Sequence, residues 1–488
     1  MKTENEYFDV VIVGSGLSGI GAACHLSMHC PNHRYIILEA RESIGGTWDL
    51  FRYPGVRSDS DMHTLGYGFR PWDGSKTIAD GSSIREYLLE TASEFGVEQY
   101  VRYNRKLKSA DWSRENSCWH LEIEDTVNKK SLSVSTNFLH MCAGYYDSEA
   151  AHQPDFPSMK QFKGVFINPQ FWPEKLDYAG KKVVVIGSGA TAVTIVPAMA
   201  ETAQHVTMLQ RSPGYFLSWP SQDQFTSILK TIMPLKWAHS VTRLRYILFQ
   251  ETLYKLTRIA PAFMKKRLIS RVRKSLGSGF DVDRHFTPDY NPWDQRLCLV
   301  PDDDFFAAIR SKKATVITDD IERFTDAGIL LKSGAIIDAD IVVSATGLKL
   351  IVLGGVKFSI DRNPVDLSKS WSYKGLMVTG VPNMVSTFGY VNASWTLRSD
   401  ITAKWVCRVL NHMTLTKTTS VVPSLPAELK QMKSRPWIAD FPAGYINRVM
   451  HLFPKQGFVE PWVNSQDFRR DKKMFKEPLE TDDSLTFT

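Results

Sequence analysis

Apolar positions near the start of the chain run without interruption instead of alternating. Val10-Val11-Ile12-Val13 is followed by Gly14-Ser15-Gly16, then by an Ala- and Gly-rich stretch to His29 and a second apolar run, Tyr35 to Leu38. A continuous apolar run that stops at glycine reads as a parallel strand buried on both faces, and the stretch behind it as the helix that covers it. Folding is expected to begin near Tyr7. The same order of strand, glycine turn, helix and strand returns over residues 181–210, as KKVVVIGSGATAVTIVPAMA and then HVTMLQ. The two long uncharged stretches, Val10 to His33 and Val183 to Glu201, therefore read as βα units and not as membrane spans. Between residues 213 and 295 the period turns helical, as in SVTRLRYILFQETLYKLTRIAPAFMKKRLISRVRK, and strand-like runs resume at ATVITD and ADIVVSATG.

The glycines carry the first chemistry. Gly14, Gly16 and Gly19 form G-x-G-x-x-G directly after a strand, with Ser15, Leu17 and Ser18 between them. The first glycine permits the tight turn, the second lets backbone approach a pyrophosphate, and the third lets helix and strand pack closely. Glu39 ends the next strand, twenty residues after Gly19, where an acid can accept hydrogen bonds from a ribose 2′-hydroxyl. This favours FAD or NAD over a 2′-phosphorylated nucleotide. In the second copy Gly187, Gly189 and Ala192 give G-x-G-x-x-A, enclosing Ser188, Ala190 and Thr191, and the following strand ends in Arg211 and Ser212. A guanidinium there suits a 2′-phosphate, which implies NADPH. Two dinucleotides suggest electron transfer from NADPH to a flavin.

The expected fold is therefore α/β, with two Rossmann-like dinucleotide-binding domains, for FAD and NADPH, and a helical insertion in the NADPH domain. The boundaries fall at 1–145 for the first part of the FAD domain, 146–212 for the linker and first part of the NADPH domain, and 213–290 for the insertion. Residues 291–350 return to the NADPH domain and 351–488 to the FAD domain, with the final EPLETDDSLTFT read as a frayed tail.

Composition narrows the class. At 488 residues the chain holds about three domains' worth of core, and 43% hydrophobic residues exclude disorder as the dominant state. The six cysteines show no metal-type spacing, so neither a disulfide framework nor a metal site is expected, and a reducing, cytoplasmic setting is. Cys24 and Cys30 both fall in the first helix, which leaves no cysteine pair to serve a disulfide reductase and makes oxygen the expected acceptor. Between Lys230 and Lys274 there are 12 basic residues against one acid, Glu251, interleaved with apolar residues. A packed subdomain with a solvated basic face is one reading of this; weak association with an anionic membrane surface, or with another acidic partner, is the sharper one. The aromatic-rich order does not suit nucleic acid.

The segment GGTWDLFRYPGVRSD resembles the Baeyer-Villiger monooxygenase pattern [AG]-G-x-W-x4-[FY]-P-[GM]-x3-D, at Gly45, Gly46, Trp48, Tyr53, Pro54, Gly55 and Asp59. A second fingerprint of that family, F-x-G-x3-H-x3-W-P, is matched at Phe162, Gly164, Trp172 and Pro173, with Asn168 in the histidine's place. From residue 8 to about 470 the chain is similar to the ethionamide-activating branch, through segments such as IGSGATAVT, TMLQRSP and YNPWDQRLCLVP. The resemblance implies that Thr47, Trp48 and Tyr53 lie along the flavin with Ala143, Gly144 and Asn392. It also implies that Asp59 orients a catalytic arginine, matched here by Arg296, whose fixed charge would stabilise a flavin C4a-peroxide. Gln295 stands where some relatives have lysine. Asn168 can donate and accept hydrogen bonds but carries no charge.

The implied activity is insertion of one oxygen atom of O2 into small-molecule ketones, with oxidation of sulfides and thioamides. The alternatives are an oxygenase making mainly sulfoxides or N-oxides, and an inert NADPH- or flavin-binding sensor.

Overall fold

The computed structural model describes residues 6–295, 297–439 and 444–488. The chain opens with β1 (Glu6–Val13), α1 (Leu17–His29), β2 (Tyr35–Leu38) and β3 (Ser131–Met141). It continues through β4 (Val165–Ile167), β5 (Lys182–Ile186), α2 (Ala190–Met199) and β6 (His205–Gln210). Three helices follow, α3 (Gln224–Ile232), α4 (Leu235–Ile259) and α5 (Pro261–Leu276), before β7 (Ala314–Thr318) and β8 (Ile341–Ser344). The last part holds β9 (Met384–Ser386), α6 (Trp395–Thr416), β10 (Val421–Pro423) and β11 (Leu485–Phe487).

All of these strands except β10 and β11, which form a two-stranded sheet of their own, build two sheets with parallel cores, an α/β architecture. In the larger one β1 lies between β2 and β3 and β9 joins β3, all parallel, while Arg105–Ser113 and Cys118–Asp125 extend it antiparallel. The smaller is parallel throughout in the order β7-β6-β5-β8-β4. Val10, Val11 and Ile12 on β1 and Val185 on β5 are fully buried because both faces of these central strands are covered, and so are Val193 and Ile195 on α2, which packs on the small sheet. One face of the large sheet carries α1 with α6 packed on it; the other carries Trp112 and Trp119.

The chain crosses between the sheets twice, over residues 142–164 and 345–356. The crossings bond to one another: the Asp147 N–H donates to the Lys349 carbonyl at 2.9 Å, the Ile351 N–H to the Tyr145 carbonyl at 2.9 Å, and Lys349 pairs with Asp147. The helices inserted between β6 and β7 reach back to the first sheet's side. Arg243 donates to the carbonyls of His63 and Gly66 at 2.8 and 2.7 Å, and Gln250 donates to Asp61 at 2.5 Å.

The expectation of a frayed C-terminal tail is wrong. β11 pairs antiparallel with β10, the Thr488 N–H donates to the Ser420 carbonyl at 3.0 Å, and Leu485 is buried. Upstream, Asp482 accepts from Tyr373 at 2.5 Å and pairs with the buried Lys374 at 3.0 Å. That charge inside the core needs a carboxylate, and the final segment supplies it.

Candidate active site

The two glycine turns open into one cavity of about 1090 Å³. Ordinary ligand pockets hold roughly 300–1,000 Å³, so the space exceeds what one small ligand fills. At the first turn, a Cβ on Gly19 would sit 1.8 Å from the Gly14 carbonyl oxygen, so only glycine lets α1 start this close to β1. At the second, Gly187 has φ +132° and lies against the Ala345 backbone, 2.3 Å from where its Cβ would be. Gly16 caps α1 and Gly189 caps α2, neither with a side chain, so the first N–H groups of both helices have no side-chain partner. That is the arrangement that receives a phosphate at a helix N-terminus.

The residues singled out in the sequence divide by position. Gly14, Gly16, Leu17, Ser18 and Glu39 line the cavity on the first side, and Gly187, Ser188, Gly189, Ala190, Thr191, Arg211 and Ser212 on the second. Ser15 is behind the lining: its N–H and hydroxyl both donate to one Glu39 oxygen, at 2.8 and 2.7 Å, while the Arg41 N–H donates to the other at 3.0 Å. Glu39 is thereby fixed in orientation at the cavity wall. The Ser188 hydroxyl donates to the Ser212 carbonyl at 3.2 Å, holding the second turn to the end of β6.

Thr47, Trp48, Tyr53 and Asp59 line the space between the two turns. The Gly45 N–H donates to the Ser15 carbonyl at 3.2 Å, which ties this segment to the first turn. Its base is an ion cluster in which buried Asp49 meets Arg41, Arg85 at 3.0 Å and Arg52 at 3.3 Å. Its other end rests on α2: the Tyr53 hydroxyl is in hydrogen-bond contact with Thr191, and Gly55 packs against the Thr194 carbonyl. Burial pushes the Tyr53 hydroxyl up to about 12, so it stays protonated and able to donate. The segment thus touches both dinucleotide folds.

Beside the expected Ala143 and Gly144, the cavity holds residues that the sequence reading missed. Ala143 and Gly144 line the cavity, and so do Tyr145 and Tyr146, whose hydroxyls lie 2.9 Å apart. Tyr145 also stacks on Trp395 with centroids 5.1 Å apart. Arg57, Tyr290 and Arg448 add polar groups; Arg57 is held by Asp304. The two tyrosines were within reach of the sequence, being next to Gly144, but Arg57 and Arg448 sit in irregular backbone that leaves no pattern.

Other expected residues are elsewhere. Asn392 is turned aside, donating to the Gln466 carbonyl at 3.0 Å, and its neighbours Ala393 and Trp395 reach the cavity instead. Phe162, Gly164, Asn168, Trp172 and Pro173 flank β4 at the edge of the small sheet and do not line the cavity. Phe162 packs on Phe324, and Trp172 on the core beneath α2. Asn168 caps the turn Pro169–Phe171, accepting from the Gln170 N–H at 3.0 Å, and donates to the His152 carbonyl at 3.0 Å. Since His152 lines the cavity, Asn168 fastens the sheet edge to the first crossing. Arg296 lies outside the described residues, although Gln295 beside it lines the cavity. All six cysteines are buried free thiols, and no metal-ligand cluster occurs among the described residues. The Cys30 and Cys407 side chains do meet, which the sequence had not suggested, but where α1 packs on α6 and away from the cavity.

Residues 73–435 match the flavin-binding monooxygenase-like family, and residues 12–74 an NAD(P)-binding Rossmann-like domain. The chain belongs to the flavin-binding monooxygenase-like family. Its cofactors are FAD and NADP(H). It is 47% identical over 484 residues to the FAD-containing monooxygenase EthA of Mycolicibacterium smegmatis, covering 99% of this chain and 97% of that one. It is 46% identical over 483 residues to the probable FAD-binding monooxygenase AlmA of Acinetobacter baylyi, covering 99% and 96%. An oxidised steroid monooxygenase bound to NADP shares the fold, with a TM-score of 0.80 at 21% identity over 99% of each chain.

Proposed function

We propose that this monooxygenase inserts oxygen into ketones, in the Baeyer-Villiger manner, and oxidises sulfides and thioamides at the same site. The observation that carries the reading is the single cavity reached by both uncapped helix N-termini and by the Trp48–Asp59 segment that bridges them. FAD belongs at the first turn, held by Gly14 to Gly19 at its pyrophosphate and by Glu39 at its ribose, and NADPH at the second, with Arg211 and Ser212 toward the 2′-phosphate. When bound, FAD takes the hydride of NADPH and activates oxygen.

The protein's own groups then set where the chemistry occurs. Trp48 and Tyr53 wall the space between the cofactor sites and exclude water from it. Tyr53, kept protonated by burial, donates a hydrogen bond from that wall. Arg296, assigned from the sequence pattern, supplies a fixed guanidinium beside the reacting oxygen, with Asp59 to orient it. In domain terms, residues 1–145 and 351–488 serve FAD, 146–212 and 291–350 serve NADPH, and 213–290 are inserted.

The test is product analysis with NADPH, air and one molecule carrying both a methyl ketone and a thioether, with hydrogen peroxide measured in parallel. Ester together with sulfoxide is the expected result. Sulfoxide without ester assigns the protein to sulfur and nitrogen oxygenation instead. Peroxide alone, or no oxygen uptake, overturns the reading.

A further inference from the structure

Large apolar side chains crowd one exposed surface of the inserted helices. Along α4, Trp237, Val241, Leu244 and Leu248 recur at steps of four, three and four residues and so lie on one face, which Ile259 continues at the C-terminus. Trp237 is 67% exposed and Ile259 81%. On α3, Phe225, Ile228 and Ile232 make a second exposed stripe at steps of three and four. The helices are packed together, with Thr226 and Thr242 hydroxyls 3.3 Å apart and the Arg245 guanidinium 4.6 Å from the Phe225 ring centre. Phe263 extends the surface onto α5. The opposite face of α4 is spoken for: Ala238, Thr242 and Tyr246 are buried, and Arg243 binds the His63 and Gly66 carbonyls. The outward stripe is therefore no core surface left over by local unfolding.

Charge says what covers it. Lys266, Arg267, Arg271 and Lys274 are exposed together on one side of α5, and Lys236 and Lys255 flank the stripe on α4. Arg258 and Arg273 are neutralised by Asp294 and Asp283, whereas none of those six forms an ion pair among the described residues. A second copy docking through the same face would bring the two sets of cations together, which opposes a symmetric dimer. A protruding apolar stripe about 33 Å long beside unpaired lysines and arginines fits a flat anionic, apolar-cored surface. No helix of the described residues is long and apolar enough to cross a membrane, so contact would be along the surface.

We propose that α3, α4 and α5 form a monotopic docking face for an anionic lipid bilayer, with the α3 and α4 stripes entering the interface and α5 binding headgroups. This does not depend on the oxygenation reading. The test is sedimentation of the FAD-loaded full chain with vesicles of phosphatidylcholine alone or mixed with phosphatidylglycerol. Binding to the mixed vesicles, weakened by salt and at least tenfold stronger than to phosphatidylcholine, is expected. Lys266→Glu/Arg267→Glu/Arg271→Glu should lower it at least tenfold, Leu244→Ser/Leu248→Ser should abolish it, and NADPH oxidation should be unchanged in both. Brominated lipids should quench a component of the tryptophan fluorescence that Trp237→Phe removes. No binding at low salt, equal binding by the charge-reversed variant, or a stable dimer in solution that Leu244→Ser/Leu248→Ser dissociates would overturn the proposal, the last by giving the face to a second copy.

Discussion

Asp61, two residues beyond Asp59, is buried beneath α4 and accepts from the Thr64 N–H at 2.8 Å, the Thr64 hydroxyl at 2.7 Å and Gln250 at 2.5 Å. Burial nevertheless outweighs these bonds and raises its carboxyl to about 6. The folded state then holds the proton more tightly than the unfolded state, so Asp61 favours folding below about pH 4 and that contribution is lost as pH rises through 6. Two pH units correspond to about 3 kcal/mol. Asp61→Asn keeps a capping oxygen without the charge, and its melting temperature relative to the parent should climb between pH 4 and 7; a difference independent of pH would contradict the assignment. Arg211 gives a second residue-scale prediction. A charge-assisted contact with a phosphate contributes about 1.5–3 kcal/mol, so Arg211→Ala should raise KM for NADPH about ten- to a hundredfold and leave KM for NADH unchanged. Equal losses for both nucleotides would place the arginine outside the 2′-phosphate site.

The elements that declare themselves in the sequence are those whose neighbours are close along the chain. β1, α1 and β2 follow within 33 residues of one another, and the glycines between them answer to close approaches at Gly14 and Gly19. β11 is the opposite case: three residues, Leu485–Phe487, preceded by an acidic pair and bonded to β10 some 60 residues earlier. No local period marks such a strand, and its acids look like a solvated end until the buried Lys374 is known. The basic stretch with interleaved apolar residues was legible on α4, but which of those residues face outward was not, since apolar side chains facing solvent and facing the core have the same helical period. The C-terminal segment should prove essential to stability. Asp482→Ala removes a partner of Lys374, leaving Glu477 at 3.6 Å, and should cost about 3–5 kcal/mol in chemical denaturation, as broken buried pairs do. A loss under about 1 kcal/mol would return this segment to the status of a tail.

Over the whole molecule, the cavity belongs to neither sheet alone, because both crossings line it and bond to each other through Asp147, Lys349, Tyr145 and Ile351. The sequence located both nucleotide turns but not this seam, since crossings in irregular backbone have no hydrophobic period to read. Asn168 matters at this scale. It holds the edge of the small sheet to His152, and its neighbour Gln170 donates to the Asp147 carbonyl at 2.6 Å, so one short turn is fixed to the first crossing at two points. If productive oxygen transfer requires the two sheets to keep their relation while both nucleotides are bound, loosening that turn should waste reducing equivalents before it harms folding. Asn168→Ala loses two hydrogen bonds at about 1 kcal/mol each, and hydrogen peroxide released per NADPH should rise about fivefold or more while the melting temperature moves little. Asn168→His can restore one donor and one acceptor and adds a charge below about pH 6.5. Its coupling should therefore approach the parent's at pH 8 and diverge from it on acidification, and a pH-independent peroxide ratio in that variant would show that position 168 acts by shape and not by its bond to the crossing.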